Sequence, residues 1–196
     1  KGSCSLAVHI VLHEIGKKFD VESVALRTKQ TASGADYTKI NPKGSVPALL
    51  LDSGELLTEA AVILQYLADQ NPDAQLFPKW GNLERYRAME WLNFISSDIH
   101  KGFSPLFNDK FSEDVKAVAK ERLVRHFGFL ANHLKNKTYL IGESFSVADA
   151  YLSTVLGWAP LVKVDLSVWP ALMGYVEKMK SRPSAIAAAK AEGLIS

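Results

Sequence analysis

The chain has 196 residues, a length that fits one large domain or two small ones. Its 47% hydrophobic and 22% charged residues provide enough apolar material for a core, which excludes a disordered chain. A net charge of +2 gives no electrostatic support for nucleic-acid binding, and no apolar run reaches the roughly 18 residues of a membrane span.

The cysteine content indicates the cellular compartment. Cys4 is the only cysteine, so no disulfide can form within the chain. A free cysteine is typical of reducing compartments, and no signal-peptide pattern opens the sequence. We therefore expect a cytoplasmic protein.

The first part of the chain mixes helical and strand-like patterns, which predicts an α/β domain over residues 1–72. In chain order, the predicted elements are a nearly buried helix that ends at Gly16, a strand around residues 19–26, a buried strand at 46–51, its hairpin partner at 55–57, and a helix over 59–70. Thr58 is placed to cap that last helix, and Asn71-Pro72 ends it.

The apolar residues of the remaining chain have helical spacing, as in the series Leu92, Ile95 and Ile99. No convincing strand follows residue 72. We therefore predict a linker over residues 73–80 and an all-helical domain over residues 81–196.

One predicted helix, from Val147 to Trp158, is apolar nearly all round and yet contains Asp149. Burial of a carboxylate is costly unless it is hydrogen-bonded. The segment from Ser146 to Asp149 has the spacing of a capping box, in which the two side chains satisfy the first amides of the helix. We interpret Asp149 as a structural cap and not as a catalytic acid.

Other motifs indicate little chemistry. His9 and His13 share one helix face, but no third ligand motif lies nearby, so we predict solvated histidines and no metal site. No glycine-rich phosphate loop and no serine-hydrolase elbow is present, which excludes these nucleotide-binding and hydrolase motifs.

Cys4 lies directly before the first predicted helix. The positive end of the helix dipole favours a thiolate, so this position predicts a lowered pKa for Cys4. The alternative interpretation is a small buried hydrophobic residue. Position alone leaves both open.

Several motifs in a fixed order resemble the cytosolic glutathione S-transferases, most closely the bacterial beta class. They are Ser3-Cys4-Ser5, Val46-Pro47, Thr58-Glu59, His100-Lys101-Gly102-Phe103 and Ser146 to Asp149. The resemblance covers essentially the whole chain. It implies a thioredoxin-like domain followed by an all-α domain, although the family's first strand is absent ahead of Lys1. It also implies a homodimer that uses glutathione as co-substrate and needs no cofactor.

The resemblance implies two catalytic residues, Cys4 and His100, with His100 titrating in a range that suits proton transfer. It implies that Val46 pairs its backbone with glutathione beside a cis Pro47, and that Glu59 and Ala60 hold the γ-glutamyl group. The remaining residues implied to lie near glutathione are Ser5, Lys29, Asn93, Ser97 and Lys101. Of these, Asn93 and Ser97 would approach the partner subunit's glutathione. Lys29 is equally well explained as a solvated loop lysine. On their own, His100 and Lys101 would be explained better as a solvated helix end, but within this resemblance the role beside the cysteine is favoured.

The resemblance implies an apolar pocket formed by Phe103, Tyr151 and Trp158, although aromatic residues at these positions would equally suit a core. The expected function is transfer of glutathione to a small hydrophobic electrophile, with glutaredoxin-like thiol transfer through Cys4 as a second activity. Two alternatives stay open: a glutathione-dependent isomerase of the zeta type, and a non-catalytic interaction module.

Overall fold

The computed structural model describes every residue from Lys1 to Ser196. The helices and strands in chain order are α1 (Ser5–Ile15), β1 (Val24–Ala25), β2 (Gln30–Thr31), α2 (Tyr37–Ile40), β3 (Ala48–Leu50), β4 (Leu56–Thr58), α3 (Ala60–Asp69), α4 (Leu83–Phe94), α5 (Lys101–Phe103), α6 (Glu113–Leu134), α7 (Val147–Leu156), α8 (Pro170–Lys180) and α9 (Pro183–Ala191). A π-helical segment, Ile95–His100, joins α4 to α5. None of the helices combines the length and apolar character that a membrane crossing requires.

The strands form two separate antiparallel hairpins, β1 with β2 and β3 with β4. The predicted hairpin is present, with Leu49 opposite Leu57. The prediction that its first strand is buried is wrong, because β3 has no neighbour besides β4 and Leu50 is 68% exposed. The strand predicted around residues 19–26 is confined to Val24 and Ala25.

The two halves of the molecule meet along α1 and α3, which pack against α7 and α9. The apolar face of α1 is buried there, including Ala7 and Val11 at 0% exposure. The predicted end of this helix is confirmed, since Gly16 caps it with a left-handed φ of 67°. One continuous core therefore spans both halves.

Two local predictions in the first half are wrong. Thr58 belongs to β4 and does not cap α3, because Glu59 occupies the N-cap position. His9 and His13 are partly buried rather than solvated, since the Phe19 ring lies 5.8 Å and 5.3 Å from their ring centroids. The loop after α1 folds back over the helix and covers both.

The capping box of α7 is confirmed, and every residue of this helix is buried. Asp149 Oδ2 accepts hydrogen bonds from the N–H and hydroxyl of Ser146, at 2.9 and 2.6 Å. Its Oδ1 accepts from the Leu140 N–H and the Tyr175 hydroxyl, each at 2.9 Å. Burial raises the pKa of Asp149. The carboxyl group thus joins α7, α8 and the preceding loop.

The segment predicted as a linker is held by Arg85, which is only 1% exposed. Its guanidinium group binds both carboxylate oxygens of Asp69, at 2.8 and 2.7 Å. It also lies over the rings of Phe77 and Trp80, 4.5 and 3.6 Å from their centroids. These contacts of the buried Arg85 side chain tie α3, the connecting segment and α4 together.

Candidate active site

A cleft of about 520 Å³ lies between the β-containing half and the helical half. One wall is polar and comes from the loop before β3 and from the start of α3. The opposite wall is largely aromatic and comes from the helices that follow α4. Both walls include residues that are predicted from the sequence.

The loop before Pro47 is fixed from behind by buried side chains. The Tyr37 hydroxyl and the Asn41 amide both donate hydrogen bonds to the Ser45 carbonyl, at 2.8 and 2.7 Å. The Val46–Pro47 peptide bond is cis, as predicted. The Val46 N–H has no partner within the chain, while its carbonyl accepts a hydrogen bond from Cys4. An extended peptide could therefore pair with Val46 as an added strand.

The start of α3 provides a second polar feature. Glu59 has a φ of 71°, a conformation that residues other than glycine adopt rarely and mainly where the surroundings enforce it. Its carbonyl accepts from the N–H groups of Val62 and Ile63, so the N–H groups of Ala60 and Ala61 have no intrahelical partner. Ala60 lines the cleft, and these donors at the positive helix end suit a carboxylate.

Two lysines flank this wall. Lys29 lines the cleft and donates to the Gly44 carbonyl at 2.7 Å, so it is not simply solvated. Lys43 Nζ lies 2.8 Å from Glu59 Oε1 and 3.1 Å from the Thr58 hydroxyl. Lys43 is not among the predicted residues, although a basic residue in the loop that precedes Val46-Pro47 is a signal that could have indicated it.

The predicted lowering of the Cys4 pKa is wrong, because burial raises its pKa to about 11. The side chain is 6% exposed, and Sγ donates a hydrogen bond to the Val46 carbonyl at 3.1 Å. The N–H groups of Cys4 and Ser5 and the charge of Lys101 favour the thiolate, but burial outweighs them. In the free protein Cys4 is therefore a neutral thiol.

The π-helical segment shapes the helical side of the cleft. Its wider turn places Ser96, His100 and Lys101 on the cleft wall. Replacement of the following Gly102 by any larger residue would force neighbouring atoms to shift, because a Cβ there would lie 2.8 Å from the buried Leu123 side chain. Sequence periodicity did not reveal this segment, since it reads as a continuous helix.

His100 Nδ1 lies 2.7 Å from the Tyr151 hydroxyl. Burial, together with the charge of Lys101, lowers the pKa of His100 to about 4. The expectation that it titrates near neutral pH is therefore wrong, and at neutral pH the imidazole is uncharged. Burial also raises the pKa of Tyr151 well above its usual value, so the phenol stays protonated.

Because the pKa of His100 is lower in the folded state than in the unfolded state, the unfolded state binds a proton at a higher pH than the folded state does. Stability should therefore fall as the pH drops from about 6.5 towards 4. We expect His100→Asn to be about 2 kcal/mol less sensitive than the parent to a change from pH 7 to pH 5. Denaturant unfolding of both proteins at the two pH values measures this. Parallel losses of stability would contradict the shift.

The aromatic wall contains Phe103, Phe107 and Trp158, whose ring centroids lie 5.7 to 6.2 Å from one another. Phe103 is fully buried, so its contribution is mainly to packing. Trp158 Nε1 donates to the Gly2 carbonyl at 2.7 Å, and its ring also contacts His100. Tyr151 lines the cleft, but its hydroxyl makes it a polar member and not part of an apolar surface.

Three predicted residues lie outside the cleft lining. The Ser5 hydroxyl pairs with Ser3, which lines the cleft in its place. Asn93 and Ser97 are exposed, and the Ser97 hydroxyl bonds to the Asn93 carbonyl and to Asp98. The predicted approach of Asn93 and Ser97 to a partner subunit stays a prediction.

Two hairpins and a cis-proline loop, joined to a helical domain across a cleft that contains a cysteine, define a thioredoxin-like domain followed by an all-α domain. The family models for the N-terminal and C-terminal domains of glutathione S-transferase match residues 2–70 and 94–183. The chain is 45% identical over 193 residues to glutathione S-transferase GstA of Escherichia coli O157:H7, covering 98% of this chain and 96% of that protein. The chain belongs to the glutathione S-transferase family.

Solved structures of similar proteins support the same family assignment. A beta-class glutathione S-transferase of Sphingomonas chungbukensis is 48% identical, with a TM-score of 0.96 over 99% of this chain and 96% of its own. A sphingomonad glutathione S-transferase complexed with glutathione is 46% identical, with a TM-score of 0.95 over the same shares. A probable maleylacetoacetate isomerase of Caenorhabditis elegans is more distant, at 28% identity over 96% of this chain and 89% of that protein.

Proposed function

We propose that the protein binds reduced glutathione along the polar wall and transfers it to a small apolar electrophile held by the aromatic wall. The observation that carries this proposal is the geometry of one cleft. It joins an unpaired strand-like backbone, a helix start with free N–H groups, a buried thiol and an aromatic surface. A peptide thiol and an apolar co-substrate require these two contrasting walls.

The polar wall suits the three parts of glutathione. Val46 beside Pro47 would pair with the cysteinyl backbone, and the start of α3 at Ala60 would hold the γ-glutamyl carboxylate. Glu59 lines the cleft and would bind the γ-glutamyl ammonium group with its carboxylate, which also accepts a hydrogen bond from Lys43. Lys29 would attract the glycyl carboxylate.

The resting contact between Cys4 and Val46 gives a mechanism for activating glutathione. A peptide that pairs with the Val46 carbonyl displaces the Cys4 S–H, which then donates to the incoming sulfur. A neutral thiol donor and the positive charge of Lys101 both stabilise a glutathione thiolate. Neutral His100 and the Tyr151 hydroxyl form a hydrogen-bonded pair beside it, and the thiol proton leaves to solvent. The thiolate then attacks the electrophile.

The proposal includes the domain division of residues 1–72, linker 73–80 and residues 81–196, and a homodimer. Large apolar side chains that are strongly exposed on α3 and α4 support a subunit contact there, with Val62 at 45%, Leu83 at 66% and Tyr86 at 55%. Asn93 and Ser97, exposed on the same stretch of helix, would then lie close to the partner subunit. Sedimentation analysis in solution tests the subunit number.

The test of function combines glutathione titration with conjugation of a chlorodinitrobenzene. We expect Glu59→Gln to weaken glutathione binding about tenfold, because a charge-assisted hydrogen bond to the ammonium group is lost. The matched control is Glu55→Gln, an exposed turn residue of the adjacent hairpin, which should bind as the parent does. A parent protein that neither binds glutathione nor conjugates it would refute the proposal. Isomerisation of maleylacetoacetate without conjugation would favour the zeta-type alternative.

A further inference from the structure

The segment that precedes α1 is held by the helical half of the molecule. Glu192 Oε2 accepts a hydrogen bond from the Gly2 N–H at 2.6 Å, and Trp158 Nε1 donates to the Gly2 carbonyl at 2.7 Å. Both backbone polar groups of Gly2 are therefore hydrogen-bonded to side chains more than 150 positions away. Gly2 lies two residues before Cys4.

The position of Glu192 follows from how α9 ends. Glu192 is the C-cap residue, and Gly193 follows with a left-handed φ of 62°. The N–H groups of Gly193 and Leu194 donate to the carbonyls of Lys190 and Ala189, both at 2.9 Å, which is a Schellman motif. This ending turns the chain back, so that Leu194 lies 3.4 Å from where a Cβ of Gly2 would be. The Schellman motif at the end of α9 thus places the Glu192 carboxylate next to Gly2.

Glu192 also bridges to α1 on the far side of Cys4. Its Oε1 lies 2.9 Å from His9 Nδ1, and the two side chains are 9% and 12% exposed. Burial acts to raise the pKa of Glu192, but the contact with His9 and the Gly2 N–H outweigh it, so the pKa is lowered and the group is ionised at neutral pH. One buried carboxylate therefore holds the chain both before and after the cysteine.

We propose that Glu192 is a positioning residue for Cys4, which keeps the thiol buried against the Val46 carbonyl until a ligand enters the cleft. Glu192 does not line the cleft, so it acts on the thiol through Gly2 and His9. Its importance for glutathione chemistry rests on the proposed function. Its effect on the accessibility of the thiol does not.

Because Cys4 is the only cysteine, its reaction with iodoacetamide reports on this position alone. We expect Glu192→Ala to accelerate alkylation at pH 7 by about tenfold, the change produced by one unit of thiol pKa when burial is lost. Glu192→Gln keeps an oxygen acceptor for the Gly2 N–H and should restore a rate close to the parent's. Trp158→Phe removes the second hold on Gly2 and should also accelerate alkylation.

The matched control is Glu14→Ala. Glu14 lies at the opposite end of α1 and links it to the start of α9, through Arg182 Nε and Nη2 at 2.8 and 2.7 Å. We expect this variant to lose stability without a change in the alkylation rate. If both alanine variants accelerated alkylation equally, loss of any contact between α1 and α9 would be enough to expose Cys4. That result would overturn the proposal. An unchanged rate in folded Glu192→Ala, or in Trp158→Phe if the alanine variant does not fold, would also overturn it. These alkylation outcomes do not depend on glutathione, so a failure of the proposed function would be seen separately in the binding titration.

Discussion

Replacing Asp149 with alanine should lower the free energy of unfolding by about 3–5 kcal/mol. The carboxylate accepts hydrogen bonds from Leu140, from Tyr175 and from both donors of Ser146. All of these atoms lie in the core, so removal of the acceptor leaves buried donors without partners in addition to losing the helix cap. Chemical denaturation at neutral pH measures the change.

The matched control for this prediction is Asp165→Ala. Asp165 also accepts a backbone N–H and a hydroxyl, both from Ser167, but its site is exposed and water can replace it. We expect that variant to change stability by less than about 1 kcal/mol. If Asp149→Ala were as stable as the parent, the account of Asp149 as the central acceptor would be wrong.

Replacing Cys4 with serine should reduce glutathione-dependent reduction of a mixed disulfide by at least about a hundredfold, while conjugation stays within about tenfold of the parent. In thiol transfer, the Cys4 sulfur attacks a glutathionylated disulfide and releases the other thiol. A second glutathione then attacks the resulting mixed disulfide, which yields glutathione disulfide and restores Cys4. Conjugation needs only a donor near the glutathione sulfur, and a serine hydroxyl can supply it.

The raised pKa of Cys4 adds a pH dependence to this prediction. Because only the thiolate attacks a disulfide, thiol transfer should rise by about tenfold for each unit between pH 7 and pH 10. Cys4→Ala, which also loses the hydrogen bond to Val46, serves as the comparison for Cys4→Ser. Thiol transfer that survives both substitutions would remove Cys4 from the chemistry and leave it a packing residue.

The features predicted correctly from sequence depend on signals within a few residues. The capping box from Ser146 to Asp149, the stop at Gly16 and the turn between β3 and β4 are of this kind. Each reflects backbone hydrogen bonds that neighbouring residues satisfy, so local residue types suffice to predict them.

The main wrong or missing predictions concern side chains whose burial and pKa depend on contacts with residues far away in the sequence. The position of Cys4 before a helix suggested a thiolate, but its pKa follows from burial against Val46, 42 positions away. The same applies to His100, which Tyr151 and Trp158 enclose. The contacts of Arg85 could not be predicted from sequence either, because a lone arginine carries no indication that it will be buried and paired with Asp69.

The widened helical turn from Ile95 to His100 makes this wall of the cleft sensitive to insertions and deletions as well as to substitutions. In a regular α-helix each residue advances the side-chain direction by about 100°. A π-helical turn accommodates one residue more than an α-helical turn, so loss of one residue inside this stretch would restore regular winding and leave the side chains beyond it facing nearly their present direction relative to α4. Loss of one residue within α4 itself would instead rotate His100 and Lys101 by about 100° relative to the start of that helix. A relative could thus keep both residue types and still present them to the solvent, so the position of an alignment gap, inside or outside the widened turn, is more informative about the kinship of active sites than overall identity.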